Sequence, residues 1–239
     1  MKKFIVLSVL IVLLVAIGAF AQFVVPKALR VYLRDTVTTF TKAQDISLTL
    51  DSLPAAKISL GYVDRLHCTA ADAAIGDLEL KQVTLEGTEL RINVKEIIFP
   101  TEGISHKEHT NRCLTSAGSL EMKGTITAES LQNFLAEKVD YIKDPKITMS
   151  PEGVTVAAKV KILGREADVQ LGGPIIARDG DLYFNMMSLN VENAILRRVN
   201  LDKFIGDINL TQSVDMPFGI QFRSVTMRDG ETFVTATRN

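Results

Sequence analysis

The residues of this chain that could do chemistry are concentrated in one polar segment. His106, His109 and Cys113 are spaced H-x-x-H-x-x-x-C, and two glutamates lie nearby. Imidazole, thiolate and carboxylate groups are the usual zinc ligands in proteins. No apolar stripe of helical spacing accompanies them, so nothing in the sequence holds the three side chains on one face. We therefore predict a solvated polar loop over residues 100–117 and no metal.

The chain has two cysteines, Cys68 and Cys113. An even number of cysteines in an oxidising compartment favours one disulfide bond. That bond would tie the strand near residue 68 to the polar loop. Two unpaired thiols are the alternative, because a sequence contains no information on the separation of the two Cα atoms.

Catalytic and nucleotide-binding motifs are missing from the sequence. It contains no G-x-S-x-G elbow, no Walker sequence and no dinucleotide-binding glycine pattern. None of the three histidines has a serine or aspartate partner in a motif, and Gly172-Gly173-Pro174 is typical of a bend between strands. We predict a protein that is not an enzyme and needs no cofactor.

The N-terminal residues indicate export. Two lysines precede an uncharged apolar run, Phe4–Phe20, and Ala19-Phe20-Ala21 is a small-x-small triplet. This layout predicts a secretory signal over residues 1–21. The apolar stretch continues to Val25, so an uncleaved membrane anchor is the alternative. In both cases the body of the protein is exported across the cytoplasmic membrane, to a periplasmic or extracytoplasmic, membrane-associated location.

Composition limits the domain count and the partners. Residues 22–239 are enough for a sizeable core, and we predict a single domain. The formal net charge of the chain is -1, and no block of like charges occurs. A nucleic-acid partner is therefore disfavoured.

Three segments have the apolar spacing of helices. Pro26–Ala43 carries a stripe with spacings of three and four residues: Leu29, Leu33, Val37 and Phe40. A second helix is predicted from about residue 128 to 139, because Thr127 is a good N-cap. Its stripe is Leu131, Phe134, Leu135 and Val139. A third, over residues 194–206, carries three cations that could meet phosphate groups, with an ordinary solvated face as the favoured alternative: Arg197, Arg198 and Lys203.

Most of the remaining chain alternates with a period of two, as strands do. Ile46–Leu50 and Ile58–Leu60 are examples, and Asp179-Gly180 and Asp229-Gly230 predict hairpins. The apolar parity slips by one residue at three places: between Leu80 and Val83, between Met186 and Leu189, and between Phe222 and Val225. Such slips indicate β-bulges, which bend strands. The predicted fold is α+β, with a strongly coiled, bulged antiparallel sheet wrapping one or two amphipathic helices.

Four segments in order resemble one known family. They are residues 58–92 with an I-G-x-L-x-L step, residues 124–135 (GTITAESLQNFL), residues 154–184, and residues 216–236, which begin MPFGI. Over residues 23–238 the chain resembles the LmeA-like family of bacterial exported phospholipid-binding proteins. The resemblance implies a fold similar to the tubular lipid-binding domains of bactericidal/permeability-increasing proteins, with an apolar groove for acyl chains.

The resemblance also implies a partner and a site. The expected partners are phospholipid or glycolipid and the membrane surface, and protein partners are not predicted. Candidates for lining the groove are Leu131, Phe134, Leu135, Phe184, Met186, Phe218 and Phe222. The predicted function is to hold or shuttle acyl chains for envelope maintenance. The alternative is a membrane-anchored structural or assembly module of the envelope, in which the same side chains form a dry core.

Overall fold

The computed structural model describes residues 2–162, 165–191, 206–212 and 214–238, with side chains from residue 22 onward except residues 161–165. Among the residues described with their side chains, no helix combines the length and apolar character that crossing a membrane requires. The turn predicted at Gly164, residues 194–205 of the third predicted helix, and its cations Arg197, Arg198 and Lys203 lie outside the described residues.

The described helices are four α-helices and two short 3-10 helices. The α-helices are α1 (Lys2–Thr41), α2 (Val94–Ile98), α3 (His106–Cys113) and α4 (Ala128–Lys138). The 3-10 helices are Ala55–Leu60 and Pro217–Gly219. The longer of these packs beside α1 and forms one wall of the site described below.

Fourteen strands are described, several of them only two to four residues long. They are β1 (Ile46–Asp51), β2 (Tyr62–Ile75), β3 (Leu78–Ile92), β4 (Leu114–Ser116), β5 (Ser119–Thr127), β6 (Ile142–Ser150), β7 (Gly153–Ile162), β8 (Arg165–Gly173), β9 (Ile175–Arg178), β10 (Asp181–Phe184), β11 (Ser188–Val191), β12 (Ile208–Asn209), β13 (Ile220–Arg228) and β14 (Glu231–Arg238). A seven-stranded sheet has the order β1-β2-β3-β5-β14-β13, with β4 paired to β3. The other two sheets are β11-β8-β7-β6 and β12-β10-β9. All pairings are antiparallel, which confirms the α+β class.

The two predicted hairpin turns are confirmed. Asp179 and Gly180 join β9 to β10 with φ values of 54° and 89°, as a two-residue type I′ turn requires. Gly230, with φ 76°, turns β13 into β14. These local signals are reliable because few residue types adopt positive φ without strain.

Only one of the three parity slips is a bulge. The register of β13 against β14 shifts between Phe222 and Ser224. In β2–β3 the burial parity changes, but the register stays constant, with Ala71 opposite Gln82 and Ala73 opposite Leu80. At this point of β2, Asp72 has a φ of 47°. This left-handed residue rotates the strand, and no extra residue is inserted. The slip after Met186 is a break, since β10 and β11 belong to different sheets.

This result corrects the predicted sheet shape. In the described part of the chain no sheet is strongly curled or closed, and β1 and β13 are the two edge strands of the largest sheet. A strongly coiled sheet that wraps a helix, the tubular form, is therefore not found. The physical reason is that two of the three slips insert no extra residue and so do not bend their strands as bulges do. Buried apolar side chains from the sheets, α1 and α4 still form one cluster.

Helix α1 is longer than the predicted Pro26–Ala43. It begins at Lys2 and passes through Pro26. Proline removes a single hydrogen bond, and the flanking apolar residues continue the helix on both sides. The predicted stripe is confirmed, because Leu29, Leu33 and Val37 are buried against the sheet.

Helix α4 agrees with its prediction. The Thr127 hydroxyl accepts a hydrogen bond from the Ser130 N–H, at 3.1 Å, and so caps the first turn. Leu131 and Leu135 are fully buried, and Phe134 is nearly so.

Two local predictions are wrong. Ile58 and Leu60 lie in the 3-10 helix Ala55–Leu60, not in a strand. The predicted loop 100–117 contains α3 and β4. Ser105 caps α3 by accepting from the Glu108 N–H, at 3.2 Å, so the S-x-x-E sequence is a helix-start signal that outweighed the polar composition.

Candidate lipid-binding site

A cleft of about 560 Å³ separates the middle of α1, residues 22–30, from the 3-10 helix Ala55–Leu60. Nine described residues line it: Gln22, Phe23, Pro26, Lys27, Arg30, Ala55, Ala56, Ile58 and Ser59. The 3-10 helix is tied to β3 just past its C-terminal end, where the Ile92 N–H donates to the Gly61 carbonyl at 2.7 Å. The wall formed by the 3-10 helix is thus mostly apolar, and the α1 wall combines apolar with polar and charged side chains.

The charge of this cleft distinguishes it from two others of similar volume. Lys27 and Arg30 line it, together with no acidic residue. The other two clefts, of about 600 and 590 Å³, each have three carboxylates in their linings. Phosphate binds to lysine and arginine through charge-assisted hydrogen bonds, and acidic neighbours repel it. Of the three, the cleft beside α1 is the one suited to an anionic group attached to apolar chains.

Exposed apolar side chains occur on the segments around this cleft. Phe23 is 75% exposed, Leu53 85%, Leu60 73% and Phe99 72%. Phe23 lies on α1, Leu53 and Leu60 lie near the two ends of the 3-10 helix Ala55–Leu60, and Phe99 follows α2. Helix α1 contacts both the 3-10 helix and α2. Exposed large apolar groups gathered on neighbouring segments mark a contact surface for protein or membrane.

Two buried hydroxyl oxygens within the described residues have no hydrogen-bond partner, Tyr32 Oη and Ser59 Oγ. Buried polar atoms are normally paired. Ser59 lines the cleft. Tyr32 lines a small apolar cavity whose wall includes Leu33, Leu66 and Phe218. Both unpartnered hydroxyls therefore belong to residues that line spaces beside α1.

A row of side chains adjoins this cavity. His109 Nδ1 lies 3.4 Å from Glu96 Oε1, and His109 Nε2 lies 3.6 Å from Cys113 Sγ. Hydrogen bonds from the Thr101 N–H and hydroxyl hold the pKa of Glu96 below its usual value. Burial, reinforced by the neighbouring Cys113 thiol, raises the pKa of Tyr32 well above its ordinary range.

This row has the order of a catalytic triad but not its electrostatics. Burial raises the pKa of the Cys113 thiol, whereas a nucleophilic cysteine needs a depressed pKa. The row instead braces α2 against α3. No group of three or more His, Cys, Asp and Glu side chains in the described residues is arranged to hold a metal ion.

The two cysteines lie on different elements, Cys68 in β2 and Cys113 at the end of α3. Both are buried free thiols in the structure. Burial raises the pKa of Cys68 to about 11.

The predicted groove residues are not brought together in one groove. Leu131, Leu135 and Phe184 have no exposed surface, and Phe222 has 2%. Phe134 lines the cleft of about 600 Å³, Phe218 lines the small cavity, and Met186 is half-buried at the edge of the core.

Sequence reasoning missed the polar residues that line the cleft and the small cavity. Lys27 and Arg30 have the positions of an ordinary solvated helix face, and Tyr32 and Ser59 carry no motif. One available signal was that both cations directly follow the apolar run, on the same helix.

Comparison with known proteins supports a lipid ligand. No curated protein and no solved structure matches the chain. The family described as LmeA-like phospholipid-binding matches it over residues 14–237. That match spans nearly the whole chain, and the protein belongs to the LmeA-like phospholipid-binding family.

Proposed function

We propose that this protein is exported and, without catalysing a reaction, holds phospholipid or glycolipid at the outer surface of the cytoplasmic membrane, contributing to envelope maintenance. The observation that carries the proposal is the cleft beside α1. It combines an apolar wall with Lys27 and Arg30 and contains no carboxylate.

The chemistry of the cleft matches the two halves of a phospholipid. The phosphate would accept charge-assisted hydrogen bonds from Lys27 and Arg30, and the Ser59 hydroxyl would gain a partner. Each acyl methylene removed from water contributes about 0.8 kcal/mol. Burial of even a few methylenes in the cleft therefore adds to the affinity for phosphate.

The position of the cleft on α1 favours a membrane source for the lipid. The apolar run Phe4–Phe20 occupies the same helix, immediately N-terminal to the cleft. Retained as an anchor, this run would hold the cleft at the bilayer surface; cleaved as an export signal, it would deliver the protein to the outer side of that membrane. The exposed Phe23, Leu53 and Leu60 would then contact the lipid, and each nearby cation would add about 1 kcal/mol at an anionic surface.

One observation favours a second candidate function, a membrane-anchored structural module. The interior is densely filled, with Leu131, Leu135 and Phe184 fully buried. The two candidates differ in whether lipid accompanies the purified protein.

The double variant Lys27→Glu/Arg30→Glu should lose phospholipid. Each charge-assisted hydrogen bond is worth about 1.5–3 kcal/mol, so we expect at least a tenfold fall in affinity. The measurement is the phospholipid content of the protein purified after expression of the full chain, by mass spectrometry of organic extracts, followed by titration with phosphatidylglycerol vesicles.

Arg34→Glu is the matched control. Arg34 lies one turn further along α1, is exposed, and does not line the cleft. Equal losses in the control and the double variant would assign the effect to general charge and remove the cleft from the proposal. Wild-type protein that neither carries nor binds phospholipid would favour the structural module.

A further inference from the structure

The small cavity is separate from the cleft. Its wall is formed by Leu33, Leu66, Leu90, Leu120 and Phe218 around the Tyr32 ring and Cys113. At 3.6 residues per turn, Tyr32 and Arg30 project about 200° apart around α1. The cavity therefore lies on the other flank of the helix from the two cations. In this structure it has a volume of about 10 Å³, at the lower limit of the space that can hold one water molecule.

Tyr32 and Cys113 are the two lining residues that carry a polar side-chain group. The Tyr32 hydroxyl oxygen is buried, and neither the Cys113 thiol nor the Thr36 hydroxyl beside it meets it in good hydrogen-bonding geometry. Its raised pKa keeps it protonated, so it can donate a hydrogen bond at any physiological pH. A donor in an otherwise apolar site selects a ligand that is apolar but carries a hydrogen-bond acceptor.

Residues 93–113 form a flap that borders the cavity through its last residue, Cys113, which lines the wall. The two ends of the flap are tied together, because the Asn93 N–H donates to the Cys113 carbonyl at 2.8 Å. Glu96 and His109 brace it internally.

The flap is fastened weakly to the rest of the protein. Helix α2 has no buried residue, and α3 buries only Thr110 and Cys113. Its outward contacts include the half-buried Ile97 against the core, the edge of the Tyr32 ring against His109, the packing of α2 on α1 and of α3 on the 3-10 helix Pro217–Gly219, and an exposed Lys107–Asp215 ion pair of 2.7 Å. A segment with so little buried apolar surface opens far more easily than the whole domain unfolds.

We propose that lifting of this flap opens the cavity to one chain of a long-chain acyl ester, whose carbonyl oxygen accepts a hydrogen bond from Tyr32 Oη. An ester-linked lipid supplies both parts of that ligand. The proposal rests on the lipid-binding function proposed above but not on the cations of the cleft.

Tyr32→Phe tests the donor, because it removes the hydroxyl alone. The full chain is titrated with dipalmitoyl phosphatidylglycerol and with its diether analogue, which lacks both ester carbonyls. We expect the variant to bind the diester about tenfold more weakly and the diether as wild type does. Methyl palmitate, which has an ester but no phosphate, should show the same dependence on Tyr32. The melting temperature should not fall, because the hydroxyl removed has no partner.

Tyr141→Phe is the matched control, since Tyr141 is half-buried in a different cleft, and it should change neither affinity. Labelling by N-ethylmaleimide gives a second readout in the wild-type protein, with peptide mass spectrometry separating Cys113 from the equally buried Cys68. Saturating diester should slow labelling of Cys113 at least tenfold and leave Cys68 unchanged.

Equal effects of Tyr32→Phe on diester and diether, no effect on either, or binding that leaves Cys113 labelling unchanged would each overturn the proposal. Normal phospholipid binding by the Lys27→Glu/Arg30→Glu variant would refute the proposed headgroup site and leave the Tyr32 result standing.

Discussion

Phe184→Ala should lower the free energy of unfolding by about 3–5 kcal/mol. Phe184 lies in β10 between Ile175 of β9 and Ile208 of β12, and no part of it is exposed. Truncation removes the transfer free energy of the ring and leaves a cavity that close-packed neighbours refill only in part. Domains of this kind are stable by about 5–15 kcal/mol, so urea denaturation at 25 °C should show a large shift in midpoint.

Met186→Ala is the matched control. Met186 is two residues further along and only half-buried, so we expect a loss of about 1 kcal/mol. If Phe184 contacted lipid rather than protein, the delipidated Phe184→Ala protein would lose no more stability than the Met186 variant. That result would move Phe184 from the core to a groove.

Some elements of the fold were predictable because their signals are local. The stripe of Leu29, Leu33 and Val37 reports helical period directly, and Asp179-Gly180 and Asp229-Gly230 report turns with positive φ. The Thr127 cap and the stripe of α4 are of the same kind. Each depends on residues within one or two turns of chain, where propensity and burial agree.

The shape of the sheet was not predictable from the same pattern. A change in parity along β2 and β3 has the same sequence signature whether a residue is inserted or Asp72 adopts a left-handed φ. Only the partner strand's register separates the two, and that register is a long-range property. The polar segment around α3 was misjudged for a different reason, because composition was weighed above the Ser105–Glu108 capping signal.

The candidate site was hidden because it combines segments that are far apart in sequence. The cleft brings residues 22–30 against residues 55–59, and the cavity brings Tyr32 against Phe218. Lone polar residues such as Tyr32 and Ser59 become informative only when their burial and missing partners are known. Membership of the family predicted a lipid ligand but not these contacts.

Gly61→Ala should destabilise the protein by about 2–5 kcal/mol and also weaken lipid binding. Gly61 has φ 82°, which costs an L-residue about 1–2 kcal/mol. An added Cβ would also overlap the carbonyl oxygen of Ile92, at a cost of about 1–3 kcal/mol. The overlap cannot relax easily, because the Ile92 N–H donates to the Gly61 carbonyl at 2.7 Å.

Gly230→Ala separates the two costs. Gly230 has a similar φ of 76°, but an added Cβ there would have no neighbour within 4 Å. We therefore expect it to lose only about 1–2 kcal/mol, and the difference between the two midpoints in urea measures the overlap at Gly61.

Gly61 ends the 3-10 helix that walls the cleft. In Gly61→Ala the overlap of the new Cβ with Ile92 of β3 is relieved by moving that wall. Phospholipid affinity should fall in Gly61→Ala at temperatures where it remains folded and should be retained in Gly230→Ala. Equal stability losses, or unchanged affinity in a destabilised Gly61→Ala protein, would show that the position of this wall does not control the lipid.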